Sequence, residues 1–167
     1  MKIKLYQLSK TLRLSIIFFL LALSFGYFSG LNLLNQTTSF NTSGIEQNVI
    51  GSEFDENASE LFFKMSEREL HAIIHSHVIS ISIILLILTT LFYYSSFTRF
   101  KVFLMVEPFI SLIVTFGGLW LLWMGYNWIK YVIMFSGMLM HLSIILMIII
   151  IIKELLLGKY CGWFAKS

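Results

Sequence analysis

The sequence predicts an all-α integral membrane protein, a single domain over 1–167 built as an up-down four-helix bundle. Three observations predict it. Hydrophobic residues make up 57% of the 167 and charged residues only 13%, with a mean hydropathy of +0.83. A soluble chain this short has no interior large enough for so much apolar surface. The apolar residues also fall into four long stretches. Finally, the charges are segregated: seven of the nine acidic residues lie between Glu46 and Glu69, while basic residues gather at the start, in one short joint and in the tail.

Each element follows from these features. Crossing about 30 Å of hydrocarbon takes roughly 20 apolar residues as a helix. The stretches at about 14–34, 70–97, 102–124 and 131–152 meet that requirement, and no Lys or Arg interrupts them. A backbone surrounded by lipid must bond to itself, so these stretches read as helices. The first follows a basic start, as a signal peptide does. It is long, however, and no small-x-small cleavage pattern follows it, so the expectation is a retained anchor.

Orientation follows from the flanking charges. Lys2, Lys4, Lys10 and Arg13 precede the first span, Arg99 and Lys101 join the second to the third, and Lys153, Lys159 and Lys166 follow the fourth. The positive-inside rule then places the N- and C-termini in the cytoplasm and the acidic loop outside a bacterial inner membrane. Tyr93, Tyr94, Trp120, Trp123, Tyr126 and Trp128 fall near span ends, as an interfacial aromatic belt does.

The outer loop, about 35–69, is too short for a domain. Its first half, rich in Asn, Thr, Ser and Gly, reads as irregular. Asn57 with Glu60, and Ser66 with Glu69, have N-cap spacing, the second as a Ser-x-x-Glu capping box. A short amphipathic helix using Leu61, Phe62 and Met65 is therefore expected on the outer surface. Asn35, Asn41 and Asn57 begin glycosylation sequons, which matter only in a eukaryotic source.

Ionisable groups inside a membrane are costly and so become functional candidates. His71, His75 and His77 lie at the outer start of the second span, and His141 lies near the middle of the fourth. Residues four apart share a helix face, so Glu67, His71 and His75 form one column, whereas His77 points elsewhere. At 1.5 Å per residue, His75 and His77 sit roughly 6–10 Å below the outer start of their span, and His141 roughly 15 Å below that of its own.

Small residues lie at comparable depth: Gly26 and Gly30 in the first span, Thr115, Gly117 and Gly118 in the third, and Gly137 in the fourth. A porphyrin between helices needs axial histidines and small residues at the ring edge. One expectation is therefore a b-type haem, with His141 and either His75 or His77 as ligands and Gly117, Gly118 and Gly137 beside the ring. That would make the chain an electron-transfer or sensor subunit with a redox partner.

A second reading is an accessory subunit of a membrane complex with no cofactor. There the glycines let backbones approach, Gly26-x-x-x-Gly30 having that spacing, and polar groups act as interhelical glue. A third reading is a metal site. Met134, Met138 and His141 share a face and suit Cu(I), although Met also commonly fills apolar cores. Glu67, His71 and His75 suit Zn2+ with a missing fourth ligand.

Glu107-Pro108 stands apart. Proline removes one helix hydrogen bond and can kink the third span. Glu107 reads as a proton-relay carboxylate or, preferably, as a side chain that snorkels to Arg99 or Lys101. Cys161 is the sole cysteine, which excludes a disulfide framework.

His75-Ser-His77-Val, Glu107-Pro-Phe, Thr115-Phe-Gly-Gly118 and Ser136-Gly-Met-Leu-Met140 resemble the pattern of a family of small, uncharacterised bacterial inner-membrane proteins. Those have four spans and an H-x-H at the start of the second. The resemblance covers about residues 60–150 and implies the four-span architecture, with interest in His75 and His77. It brings no activity with it.

Several function classes are disfavoured. No phosphate-binding loop or nucleophile–base spacing is present, so a stand-alone enzyme is not expected. No basic patch interleaved with aromatics points to nucleic acid. Four spans without internal repeats do not resemble a stand-alone secondary transporter.

Overall fold

The computed structural model describes residues 4–52 and 62–157. Asn57, Glu60, Leu61 and Cys161 lie outside the described residues. After a 3-10 turn at Leu5–Gln7 come five α-helices: α1 Lys10–Thr38, α2 Thr42–Ile50, α3 Glu67–Tyr93, α4 Lys101–Trp123 and α5 Ile129–Leu157. No strand occurs among the described residues. Helices α1, α3, α4 and α5 are each long and apolar enough to cross a membrane.

The four long helices run up and down. Short turns join α3 to α4 and α4 to α5. One end of the bundle holds the close of α4 and the opening of α5, covered by α2. There Val49 of α2 packs with Leu122, Ile129 and Ile133, and Lys130 pairs with Glu46. The other end is clasped by the N-terminal segment: Leu5 N–H donates to the Tyr94 carbonyl at 3.1 Å, and Arg13 Nε donates to the Leu155 carbonyl at 2.9 Å.

Helices α4 and α5 share the largest interface, α3 packs on both, and α1 lies against α5. The core between them includes Leu85, Leu88, Leu112, Phe116, Met140, Ile144, Met147 and Ile151. Only Leu20 and Thr38 of α1 are buried, so most of its apolar surface faces outward. A membrane protein presents such a surface to lipid at no cost, because lipid chains are as apolar as leucine.

The loop departs from its expected form. Its helix lies at Thr42–Ile50, in the half that composition marked as irregular, and Phe62–Lys64 has no helical structure. Asn41, one of the polar residues behind that reading, is the N-cap: its side chain accepts from Gly44 N–H. Ile45 and Val49, four apart, then supply the apolar stripe.

Segment 62–65 runs beside the end of α2, with Ser52 N–H donating to the Phe62 carbonyl at 2.8 Å and Met65 N–H to the Val49 carbonyl at 3.1 Å. Trp123 Nε1 donates to the Met65 carbonyl at 2.8 Å. These bonds occupy the backbone that a helix there would have used. The Ser66–Glu69 capping box does form and opens α3.

Span limits shift by a few residues. Helix α1 continues to Thr38, taking Asn35 into the helix, and α5 continues to Leu157. Helix α3 closes at Tyr93, earlier than hydropathy indicated. Helix α4 continues through Pro108, which is buried.

Candidate functional site

Two groups of polar side chains lie inside the bundle. The first joins α1 to α5. The rings of Tyr27 and His141 meet edge to face, with centroids 5.5 Å apart and an interplanar angle of 85°. Depth allows this contact: Tyr27 lies roughly 17 Å below the end of α1, and His141 roughly 18 Å below the start of α5, at 1.5 Å per residue. The Tyr27 hydroxyl and His141 Nδ1 are both buried and have no hydrogen-bond partner. Each such group costs about 1–3 kcal/mol in lost hydration. A half-buried imidazole whose Nδ1 is buried without a partner retains its capacity to bind a metal, a proton or a polar ligand edge.

The second group forms a seam between α4 and α5. Glu107 is 6% exposed, with Ser111, Ser136 and Ser143 buried around the same interface. Ser111 Oγ donates to Glu107 Oε1 at 2.5 Å, and Ser143 Oγ of α5 donates to Oε2. Further along, the hydroxyls of Thr115 and Ser136 bond at 2.8 Å. At the clasped end, Glu154 accepts from Ser96 N–H at 2.7 Å and Ser96 Oγ at 3.0 Å.

Glu107 therefore does not snorkel. Its carboxylate is held inside by two serines, while Lys101 Nζ donates to the carbonyls of Tyr93 and Ser95 at 2.7 and 2.9 Å. Lys101 opens α4 beside the α3–α4 turn, whose carbonyls are nearer to hand than a carboxylate facing α5.

The histidines of α3 separate by direction. His71 meets the Trp120 ring edge to face at 4.4 Å and approaches Glu67 at 3.6 Å. His77 lies against Phe116 with centroids 5.5 Å apart, and its Nδ1 is 3.0 Å from the Ile73 carbonyl. That contact directs Nδ1–H to the carbonyl and leaves Nε2 with its lone pair, the arrangement typical of ligating histidines. All three α3 histidines are exposed. Among the described residues, no group of three His, Cys, Asp or Glu side chains gathers as a metal centre does. Met134 is half-buried, and Met138 faces outward at 56% exposure.

The glycines divide in the same way. A methyl group on Gly118 would lie 2.7 Å from Ile133 Cγ1, and one on Gly137 would lie 4.0 Å from Thr115, so both face the α4–α5 contact. Gly117, Gly26 and Gly30 have open space at that position. The Gly26-x-x-x-Gly30 face thus meets no other helix among the described residues.

Sequence reasoning did not single out Tyr27, Ser111, Ser143, Ser96 or Glu154. A signal for the seam was present. Glu107, Ser111 and Thr115 recur at intervals of four on α4, while Ser136, Ser143 and Glu154 recur at intervals of seven and eleven on α5, each set on one helical face. Tyr27 had no such signal, because one tyrosine in an aromatic-rich helix does not reveal its direction.

Together, the apolar helices and this internal polar seam define a multi-pass integral membrane protein. The chain belongs to a family described as a transmembrane helical domain, whose model matches residues 39–160. The match begins just past α1 and takes in α2 through α5, the seam included. It bears on the membrane architecture and not on the His75-x-His77 pattern. No curated protein and no solved structure matches the chain.

Proposed function

We propose that this protein is a small membrane subunit that carries a ligand at His141, b-type haem being the ligand its histidines suit best. The observation that carries this reading is the buried, unpartnered Nδ1 of His141, beside the equally unpartnered Tyr27 hydroxyl. His77 adds support, because its Nδ1 contact with the Ile73 carbonyl presets Nε2 for coordination. His75 is the alternative second ligand. A bound haem would supply one-electron chemistry to an electron-transfer or sensor role. The chain's own residues would orient and enclose it, with α1 shielding the α5 side from lipid. In this reading the membrane is a bacterial inner membrane, the termini are cytoplasmic and the α2 end lies outside, following the basic flanks.

A second reading is favoured by the packing of α4 against α5. Ile133 and Thr115 already meet Gly118 and Gly137, and the rings of His71 and His77 lie on Trp120 and Phe116. Those contacts suit an accessory membrane subunit without a cofactor, its polar groups serving as glue. Copper at Met134, Met138 and His141 is the third reading.

The visible spectrum and metal content of the detergent-purified protein separate the three. A Soret band that is lost in His141→Ala and altered in His77→Ala carries the haem reading. A stable, colourless, metal-free protein establishes the accessory reading, and stoichiometric copper the third.

A further inference from the structure

We propose that Glu107, with the hydroxyls of Ser111 and Ser143, binds a monovalent alkali cation, Na+, in competition with a proton. This is independent of any ligand at His141. The argument begins with depth. Glu107 lies roughly 9 Å inside the start of α4 and roughly 24 Å from its end, at 1.5 Å per residue. It is 6% exposed, and Ser111 and Ser143 are 5% and 2% exposed. A carboxylate in such surroundings requires a compensating positive charge.

The described residues supply no such charge by ion pairing. Among the described residues, no Lys, Arg or His nitrogen forms an ion pair with Glu107. Several ionisable groups of the packed elements lie in other contacts, and Arg68, His71, His75 and Lys153 are exposed. Lys101 binds the Tyr93 and Ser95 carbonyls, Arg13 binds the Leu155 carbonyl, and His141 lies against Tyr27. His77 lies on Phe116, Lys130 pairs with Glu46, and the other buried acid of α5, Glu154, is bonded to Ser96. The compensating charge therefore comes from solution, as a proton or a cation.

The donor set decides which cation. Both carboxylate oxygens and both hydroxyl oxygens converge from α4 and α5. Pro108 has no N–H, so the Leu104 carbonyl, one turn earlier, loses its helical partner. Oxygen-only donors suit a hard ion, whereas copper and zinc favour nitrogen and sulfur. With one negative charge at the site, a monovalent ion leaves it neutral, and a divalent ion would strand a positive charge in hydrocarbon. Each hydroxyl can donate to the carboxylate while offering lone pairs to the ion. Binding of one Na+ releases one proton, so charge balances at the site.

The experiment uses the full chain in detergent micelles with dicyclohexylcarbodiimide, which modifies protonated carboxyls in apolar surroundings. Modification at Glu107 is followed by mass spectrometry, with Glu154 as the internal comparison. NaCl should slow modification at Glu107 about tenfold once it exceeds the dissociation constant about tenfold, while choline chloride does not. Ser143→Ala should keep the modification and lose the protection by Na+. In parallel, NaCl should raise the thermal midpoint of the wild type and leave that of Glu107→Gln unmoved. Modification that ignores Na+, protection by choline equal to that by Na+, or no modification together with no Na+-dependent midpoint would each overturn the proposal.

Discussion

Gly117 and Gly118 are neighbours in α4, yet an added methyl group meets different surroundings at each. At Gly118 it lies 2.7 Å from Ile133 Cγ1, and at Gly117 it meets open space. Gly118→Ala should therefore force α4 from α5 and lower stability by about 1–3 kcal/mol, the usual penalty of overpacking. Gly117→Ala should leave stability unchanged or raise it by up to about 1 kcal/mol, since alanine is the better helix former. Thermal unfolding in detergent compares the two, and an equal loss at both positions would contradict the packing described for α4 and α5. The sequence marked both glycines as small but could not say which one met a neighbour. Adjacent helical residues differ by about 100° in direction, and the partner helix lies outside local sequence.

Helix α2 shows the same limit at the scale of an element. It depends on the Asn41 cap and on Gly44, where a methyl group would run into the Thr38 carbonyl. Asn41→Ala should cost about 1 kcal/mol of local stability. Gly44→Ala should cost more, because the methyl group meets backbone that has no rotamer with which to yield. Limited proteolysis between 39 and 66 reads both, with cleavage rising in the order wild type, Asn41→Ala, Gly44→Ala. The sequence read the first half of this loop as irregular because Asn and Ser favour turns and caps equally. What decided between those uses was the apolar end of α4 and α5, which receives Ile45 and Val49.

Across the whole molecule, the two ends of the bundle are chemically unlike. One carries α2 and the Glu46–Lys130 pair, and the other carries Leu5, Arg13, Ser96 and Glu154. Reporter fusions after Ser52 and after Ser96 should therefore report opposite sides of the bilayer, with the second cytoplasmic. Both on one side would break the up-down order and dissolve the shared depth of Tyr27 and His141.

The sequence by itself determined the membrane class, the four long helices and the capping box that opens α3. These rest on composition, on runs of apolar residues and on contacts three residues apart, all of which are local. It also listed the histidines, the glycines and Glu107 as the residues to watch. Only the tertiary structure decided their directions: His141 toward Tyr27, His77 toward Phe116, and Glu107 into the α4–α5 seam and away from the basic turn. In lipid, hydropathy drives every helix into the membrane but does not choose between its faces, because chains and bilayer are equally apolar. Side-chain direction is then set by close packing and by the few polar atoms that find one another across helices.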